Sequence, residues 1–236
     1  MSFATTSPSK KSIKPEENTE QLTVEYYFPT PIYSIMKPEY LDTARTVANE
    51  YIALAEKENK TVNEIYPVQQ TNNFYDDARI KDLSGYILNV AWDILNDQGY
   101  DMTNMRTFYN EFWCQDHRKH SGMDQHVHGF GAQIVGFYFL DCPVKSSKVL
   151  FHDPKTAKVQ INLPETDMNR ATPASNIINY DPKPGQLILT NAWLAHSFTR
   201  SGTTSHMKFI HFTITPQYVQ PSTVTFNTVT GAAEVI

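Results

Sequence analysis

From Met105 to Thr215 the chain is a succession of short aromatic and β-branched segments, each closed by a turn built on Pro, Asp or Asn. Arg106–Cys114 carries Phe108, Tyr109, Phe112 and Trp113. Gln133–Leu140, Val149–Phe151, Val159–Leu163, Gln186–Thr190 and Met207–Thr215 follow. The breaks fall at Asp141–Pro143, His152–Pro154 and Asp181–Gly185. Many short strands with such punctuation predict an all-β sandwich or barrel.

Ahead of this region the periodicity changes. Leu41, Ala44, Ala48, Tyr51, Ile52 and Ala55 recur at spacings of three and four, which predicts a helix over about 38–59. Ile80, Leu83, Ile87, Val90, Ala91 and Ile94 do the same, predicting a second over about 77–97 with Gly99 as its C-terminal cap. Stripes of this kind are packing faces, so both helices are expected against a sheet. Leu22–Ile35 reads as a strand interrupted by Pro29 and Pro31, which belongs on a sheet edge. Met1 to about Glu20 is polar and nearly free of large apolar side chains, the composition of a mobile tail. The expected organisation is therefore a tail over 1–20 and one domain over 21–215, with its β core at about 105–215. Residues 216–236 would be a C-terminal tail, or an edge strand at Thr223–Val229.

Composition narrows the function. A net charge of −5 argues against general nucleic-acid binding, which needs a basic surface. No apolar run reaches membrane-spanning length and no secretory h-region opens the chain, so neither membrane association nor export is expected. Cys114 and Cys142 make no metal or redox motif, and a reduced cytoplasmic state is the expectation.

The chemistry points to His126 and His128. Residues i and i+2 of a strand share a face about 6.5 Å apart, and two imidazoles so placed close on one metal ion at about 2.1 Å each. His196, in the later stretch Pro184–Phe198, is the candidate third ligand. The same pair on an exposed strand needs no metal, and that alternative stands on the residues alone. His117 and His120 fall in a polar stretch that reads as a loop or lid, and His152 and His211 as hydrogen-bonded strand residues.

The order of these pieces resembles the 2-oxoglutarate- and Fe(II)-dependent oxygenases, in particular a branch found in bacterial and bacteriophage genomes. The resemblance is carried by Phe28–Tyr33 (FPTPIY), the H-x-H at 126–128, and Gly136-Phe137-Tyr138. It continues through Asp153-Pro154, the strand with Pro182, Gly185, Leu187 and Leu189, and Trp193–His196. It spans about Thr23 to Thr215 and implies a double-stranded β-helix, the jelly-roll barrel. It further implies Fe(II) held by His126, His128 and His196, with His128 where the superfamily usually has a carboxylate. Asp124 or Asp153 is the alternative carboxylate. On a straight strand Asp124 and His128 lie about 13 Å apart, so only an adjacent pair serves, and His126 belongs to both pairs. Asp153, before a proline, reads more simply as an Asx turn.

By the same resemblance, the far carboxylate of 2-oxoglutarate pairs with a cation after the distal histidine. Lys208 is the first candidate and Arg200 the second, with Tyr138 and Asn110 lining the pocket. The implied activity uses O2 and decarboxylates 2-oxoglutarate to succinate and CO2, coupled to hydroxylation of a C–H bond. The substrate, whether protein side chain, nucleobase or metabolite, is left open. The rivals are a three-histidine cupin-like dioxygenase that uses no 2-oxoglutarate, and a non-catalytic jelly-roll binding protein. A cation pointing into the barrel separates the first reading from these.

Overall fold

Alternating burial on two faces, rather than one, organises the β region. The computed structural model describes residues 23–58, 63–161 and 163–219, together with the short strands 224–226 and 233–235. The chain divides between Thr30 and Pro31 into two units. The expected mobile tail of Met1 to about Glu20 lies outside the described residues. Of the first unit, 23–29 are exposed and irregular, with Tyr27 donating to Glu25 at 2.8 Å. The strand expected over Leu22–Ile35 begins only after both prolines.

In the second unit, six antiparallel strands form the larger sheet: β1 (Ile32–Met36), β2 (Val68–Gln70), β3 (Met105–His117), β5 (Ile134–Asp141), β8 (Gln186–Asn191) and β10 (Met207–Tyr218). Their order is β1-β8-β5-β10-β3-β2, so β1, directly after its prolines, is an edge strand as expected. The smaller sheet, β4-β9-β6-β7, contains β4 (Met123–His126), β6 (Val149–His152), β7 (Ile177–Tyr180) and β9 (His196–Phe198). These two sheets face one another as a jelly roll. No strand pairing joins them among the described residues, so the barrel is not closed. A separate pair, β11 (Val224–Phe226) and β12 (Ala233–Val235), lies where an edge strand was expected; the rest of that tail lies outside the described residues.

Helices α1 (Leu41–Glu58) and α2 (Lys81–Asp97) cover the outer face of the larger sheet. Their buried stripes, Ala44, Val47, Ala48, Ile52 and Ala55 on α1 and Leu83, Ile87, Val90, Ala91 and Ile94 on α2, are the ones periodicity picks out. Each α-helix is preceded by a 3-10 turn, and Asp77 accepts the Arg79 N–H at 3.0 Å where the second begins. Gly99, at φ +94°, ends α2 in the left-handed region that favours glycine.

Two cores result. The outer one sets Phe112, Cys114, Ile134, Tyr138, Leu187, Ile210, Phe212 and Ile214 against the helices. The inner one, between the sheets, holds Val135, Phe137, Phe139, Val149, Phe151, Ile188, Phe198 and Phe209. Successive residues of β5 and β10 therefore feed different cores, and both strands are apolar on both faces.

One predicted strand is absent. Around Val159 the backbone forms a 3-10 turn at Thr156–Gln160. Asp153 starts it by accepting the Lys155 N–H at 2.9 Å, and Lys158 anchors it by donating to Asp153 and to the Ser175 carbonyl.

Gly136 is packed where β5, β8 and β10 meet. A Cβ there would run into the Phe212 ring and lie 2.6 Å from the Ile188 carbonyl oxygen. Gly136→Ala is expected to destabilise by about 1–3 kcal/mol, and at this size each kcal/mol lowers the melting temperature by roughly 2–4 °C. A thermal melt with no shift would show that the sheet relaxes freely at this point.

Candidate metal centre

His126 closes β4 and His196 opens β9, and the two are direct partners in the antiparallel register. Cross-strand pairing alone brings these imidazoles together, with ring centroids 4.5 Å apart. His128 lies beyond the strand end, in the loop that leads to β5. Its N–H donates to the Ala192 carbonyl at 3.0 Å, which holds the loop against the turn just before His196. The H-x-H is thus half strand and half loop, not one straight strand.

Tautomers follow from the hydrogen bonds. His126 Nδ1 donates to the Asp124 carbonyl at 2.8 Å and His196 Nδ1 to the Leu194 carbonyl at 3.1 Å. Each Nε2 then carries a lone pair, and a backbone carbonyl fixes each ring, as is usual for metal-bound histidine. The donor atoms of His126, His128 and His196 lie within 4.8 Å of one another. His128 Nε2 and His196 Nε2 are 3.4 Å apart. Two nitrogens bound to one ion at about 2.1 Å sit about 3.0–3.4 Å apart. The three residues therefore fit a divalent metal.

The site opens into a cavity of about 220 Å³ between the sheets. Phe137, Phe198, Phe209, Trp113 and Met123 are its apolar walls, and Tyr66, Gln70, Gln115 and Glu111 its polar ones. Burial holds the His128 pKa down at about 4 and that of His196 at about 3, so both are neutral near pH 7 and available as ligands.

The residues expected around 2-oxoglutarate are placed elsewhere, and strand parity is the reason. On β10, Phe209 and His211 face the cavity, whereas Lys208, Ile210 and Phe212 face the helices. Lys208 stands in register with Asp116 on one neighbouring strand and Asp141 on the other. Its ammonium donates to Asn49 of α1 at 2.8 Å and lies 4.0 Å from the Asp141 carboxylate. Tyr138 faces the same way, its hydroxyl donating to the Lys37 carbonyl at 2.7 Å. Asn110 is the extra residue of a β-bulge opposite Thr213 and Ile214 and donates outward to Thr215 at 2.7 Å. Arg200 donates to the His120 carbonyl at 3.2 Å, outside the cavity. No Lys or Arg lines the cavity among the described residues.

The loop histidines also change place. His117 is the buried end of β3, against Phe198 and Phe209, with Nε2 2.9 Å from Gln115 Oε1. His152 is hydrogen-bonded to Ser197 at 2.9 Å, as expected of a strand histidine. His211 is not so satisfied: it is fully buried, its Nδ1 has no partner, and its Nε2 lies 3.4 Å from His128 Nε2. His211 was expected to be a hydrogen-bonded strand residue, and Glu111 and Gln115 are cavity residues that the sequence pattern does not single out. Glu111 lies beside the metal group, Oε2 4.0 Å from His128 Nδ1. The available signal was parity with Phe209 on one strand and Trp113 on the other, legible only once the inner face is known.

Residues 111–208 match the family model described as "putative 2OG-Fe(II) oxygenase". No curated protein matches the sequence. Among solved structures, the chain is similar to a prolyl-4-hydroxylase from Pseudomonas putida, at TM-score 0.51 and 11% identity over 79% of this chain and 93% of that one. It is similar to the carbocyclase SnoK from nogalamycin biosynthesis, at TM-score 0.55 and 10% identity over 80% and 82%. HygX from Streptomyces hygroscopicus, solved with nickel and 2-oxoglutarate bound, gives TM-score 0.53 and 11% identity over 79% and 82%. At these identities the likeness concerns the fold, the double-stranded β-helix.

Because His128, His196 and His117 have depressed pKa values in the folded chain, the unfolded chain binds more protons between their folded values and about 6.5. Stability of the metal-free protein should therefore fall as pH drops from about 6.5 towards 4. Melts in chelator across that window test it; a flat profile would place these imidazoles in water.

Proposed function

We infer that the chain is a 2-oxoglutarate- and Fe(II)-dependent oxygenase with His126, His128 and His196 as its metal ligands. The observation that carries this is the convergence of three imidazoles at the cavity between two jelly-roll sheets, within the segment matched by the oxygenase family model. Bound there, Fe(II) supplies O2 activation coupled to decarboxylation of 2-oxoglutarate and hydroxylation of a C–H bond. The chain's own part is positional. The backbone carbonyls of Asp124 and Leu194 orient His126 and His196 so that each Nε2 would be presented to the ion, and His128 would complete the set. Phe137, Phe198, Phe209 and Trp113 exclude water from the reacting face.

The far carboxylate of 2-oxoglutarate must be held without a lysine or arginine from the described lining. Gln115 is the residue we assign to it. With His117 Nε2–H donating to Gln115 Oε1, the Gln115 amide N–H groups are left for the cavity. A neutral donor to a carboxylate still contributes about 1.5–3 kcal/mol. The same lack of a cation favours a second reading, a three-histidine dioxygenase that acts without 2-oxoglutarate.

Slow succinate formation from 2-oxoglutarate, requiring Fe(II) and O2 and no added substrate, separates the two. Gln115→Ala should raise the half-saturating 2-oxoglutarate concentration roughly tenfold or more. Lys208→Ala should leave it unchanged, because that ammonium is occupied on the helix side. Iron binding with no succinate at any concentration would favour the second reading. A strong effect of Lys208→Ala would return the cation to the cosubstrate.

A further inference from the structure

His211 is the part of the cavity that the three-histidine site leaves unexplained. It is 3% exposed, its ring stacks on Trp113 with centroids 4.2 Å apart, and its Nδ1 has no partner. Its Nε2 is aimed at His128 Nε2, 3.4 Å away. That is long for a hydrogen bond, and the His128 Nε2 faces His196 at the same 3.4 Å. One nitrogen with at most one proton cannot donate to both. A buried imidazole with one unpartnered nitrogen and another facing a neutral imidazole is costly unless a further group joins it.

A cation between the two imidazoles would accept the facing lone pairs, and Glu111 offers a further donor for it. Glu111 faces His211 from the adjacent strand, one cavity-facing position along from Trp113. Thr213 donates to its Oε2 at 3.3 Å, and His128 is the ionisable group within ion-pair distance of it. Donor atoms of Glu111, His128 and His211 all lie within 4.8 Å of one another. This is a two-histidine, one-carboxylate set, and it shares His128 with the all-histidine set.

We propose that Glu111, His128 and His211 form a second divalent-cation position overlapping the first at His128, taken by an oxygen-preferring ion such as Mn(II), while Ni(II) takes the three-histidine position. The inference rests on reading the cavity as a metal centre, and adds to it a carboxylate from β3. The chemistry follows from ligand type: a carboxylate oxygen suits Mn(II), and an all-imidazole set suits Ni(II). His128 belongs to both sets, and two divalent ions crowded at one imidazole repel each other, so each chain binds one ion and the ion decides the position.

The test is titration of the full, metal-stripped chain with Mn(II), read by loss of the free-ion paramagnetic resonance signal, and with Ni(II), read by calorimetry. Glu111 is half-exposed, so Glu111→Gln is expected to fold as the parent does, which a thermal melt checks. One ion of either kind should bind per chain. Glu111→Gln should weaken Mn(II) at least tenfold and change Ni(II) less than twofold. His196→Gln should do the reverse, and His211→Ala should follow Glu111→Gln. Equal loss of both metals in Glu111→Gln, no loss of Mn(II), or two Mn(II) per chain would each overturn the proposal. Ni(II) binding that is lost in His196→Gln while Mn(II) ignores Glu111→Gln would remove the second position and leave the oxygenase reading intact. Binding of neither metal to the parent would remove both.

Discussion

Burial of the larger sheet on both faces is the constraint on which this structure depends. The helices need an apolar surface to cover, and the smaller sheet needs one to close against. Strands β5 and β10 supply both at once, with Tyr138, Ile210 and Phe212 turned outward and Phe137, Phe139 and Phe209 turned inward. A strand shifted by one residue would exchange the two sets. It would also turn His211 towards the helices and Lys208 into the cavity, so the chemistry of the site is set by the same register that sets the packing.

The small sheet has a different task. Its strands are three or four residues long and contribute modestly to the core, but β4 and β9 pair His126 with His196 directly. That cross-strand pair sits at the mouth of the unclosed barrel. Holding His128 on a loop fastened to the Ala192 carbonyl gives it a reach that a straight strand would not. That reach lets one imidazole face both His196 and His211.

Lys208, the first candidate for the cosubstrate's cation, helps to join α1 to the sheet. Lys208, Asn49 and Asp141 form one contact, with Arg45 donating to Asp141 at 2.9 Å and to the Leu140 carbonyl at 2.8 Å. Asp116, buried beside them, takes His206 at 2.9 Å, and desolvation raises its pKa against the pull of that partner. Lys208 is thus engaged on the helix side, and among the described residues the cavity lining carries neutral donors and one carboxylate.

Much of this was legible in the chain itself. Periodicity of three and four marked both helices because one stripe of each is apolar, and Gly99 marked the end of the second because φ there is positive. The aromatic segments and their proline turns marked a β sandwich, and the H-x-H with a distal histidine marked three imidazoles that the fold brings together at one cavity. What the sequence alone could not decide was which way each strand faces. Alternation of apolar and polar residues normally reveals the buried face, and β5 and β10 do not alternate, since both faces are buried. Lys208, Tyr138 and Asn110 stand off the cavity lining for that reason or, at Asn110, because of a bulge. The cavity positions of His211 and Glu111 were not legible for the same reason. Local residue chemistry named the elements and three converging histidines; only tertiary pairing, by fixing parity across β3, β10 and β5, determined what else stands beside them.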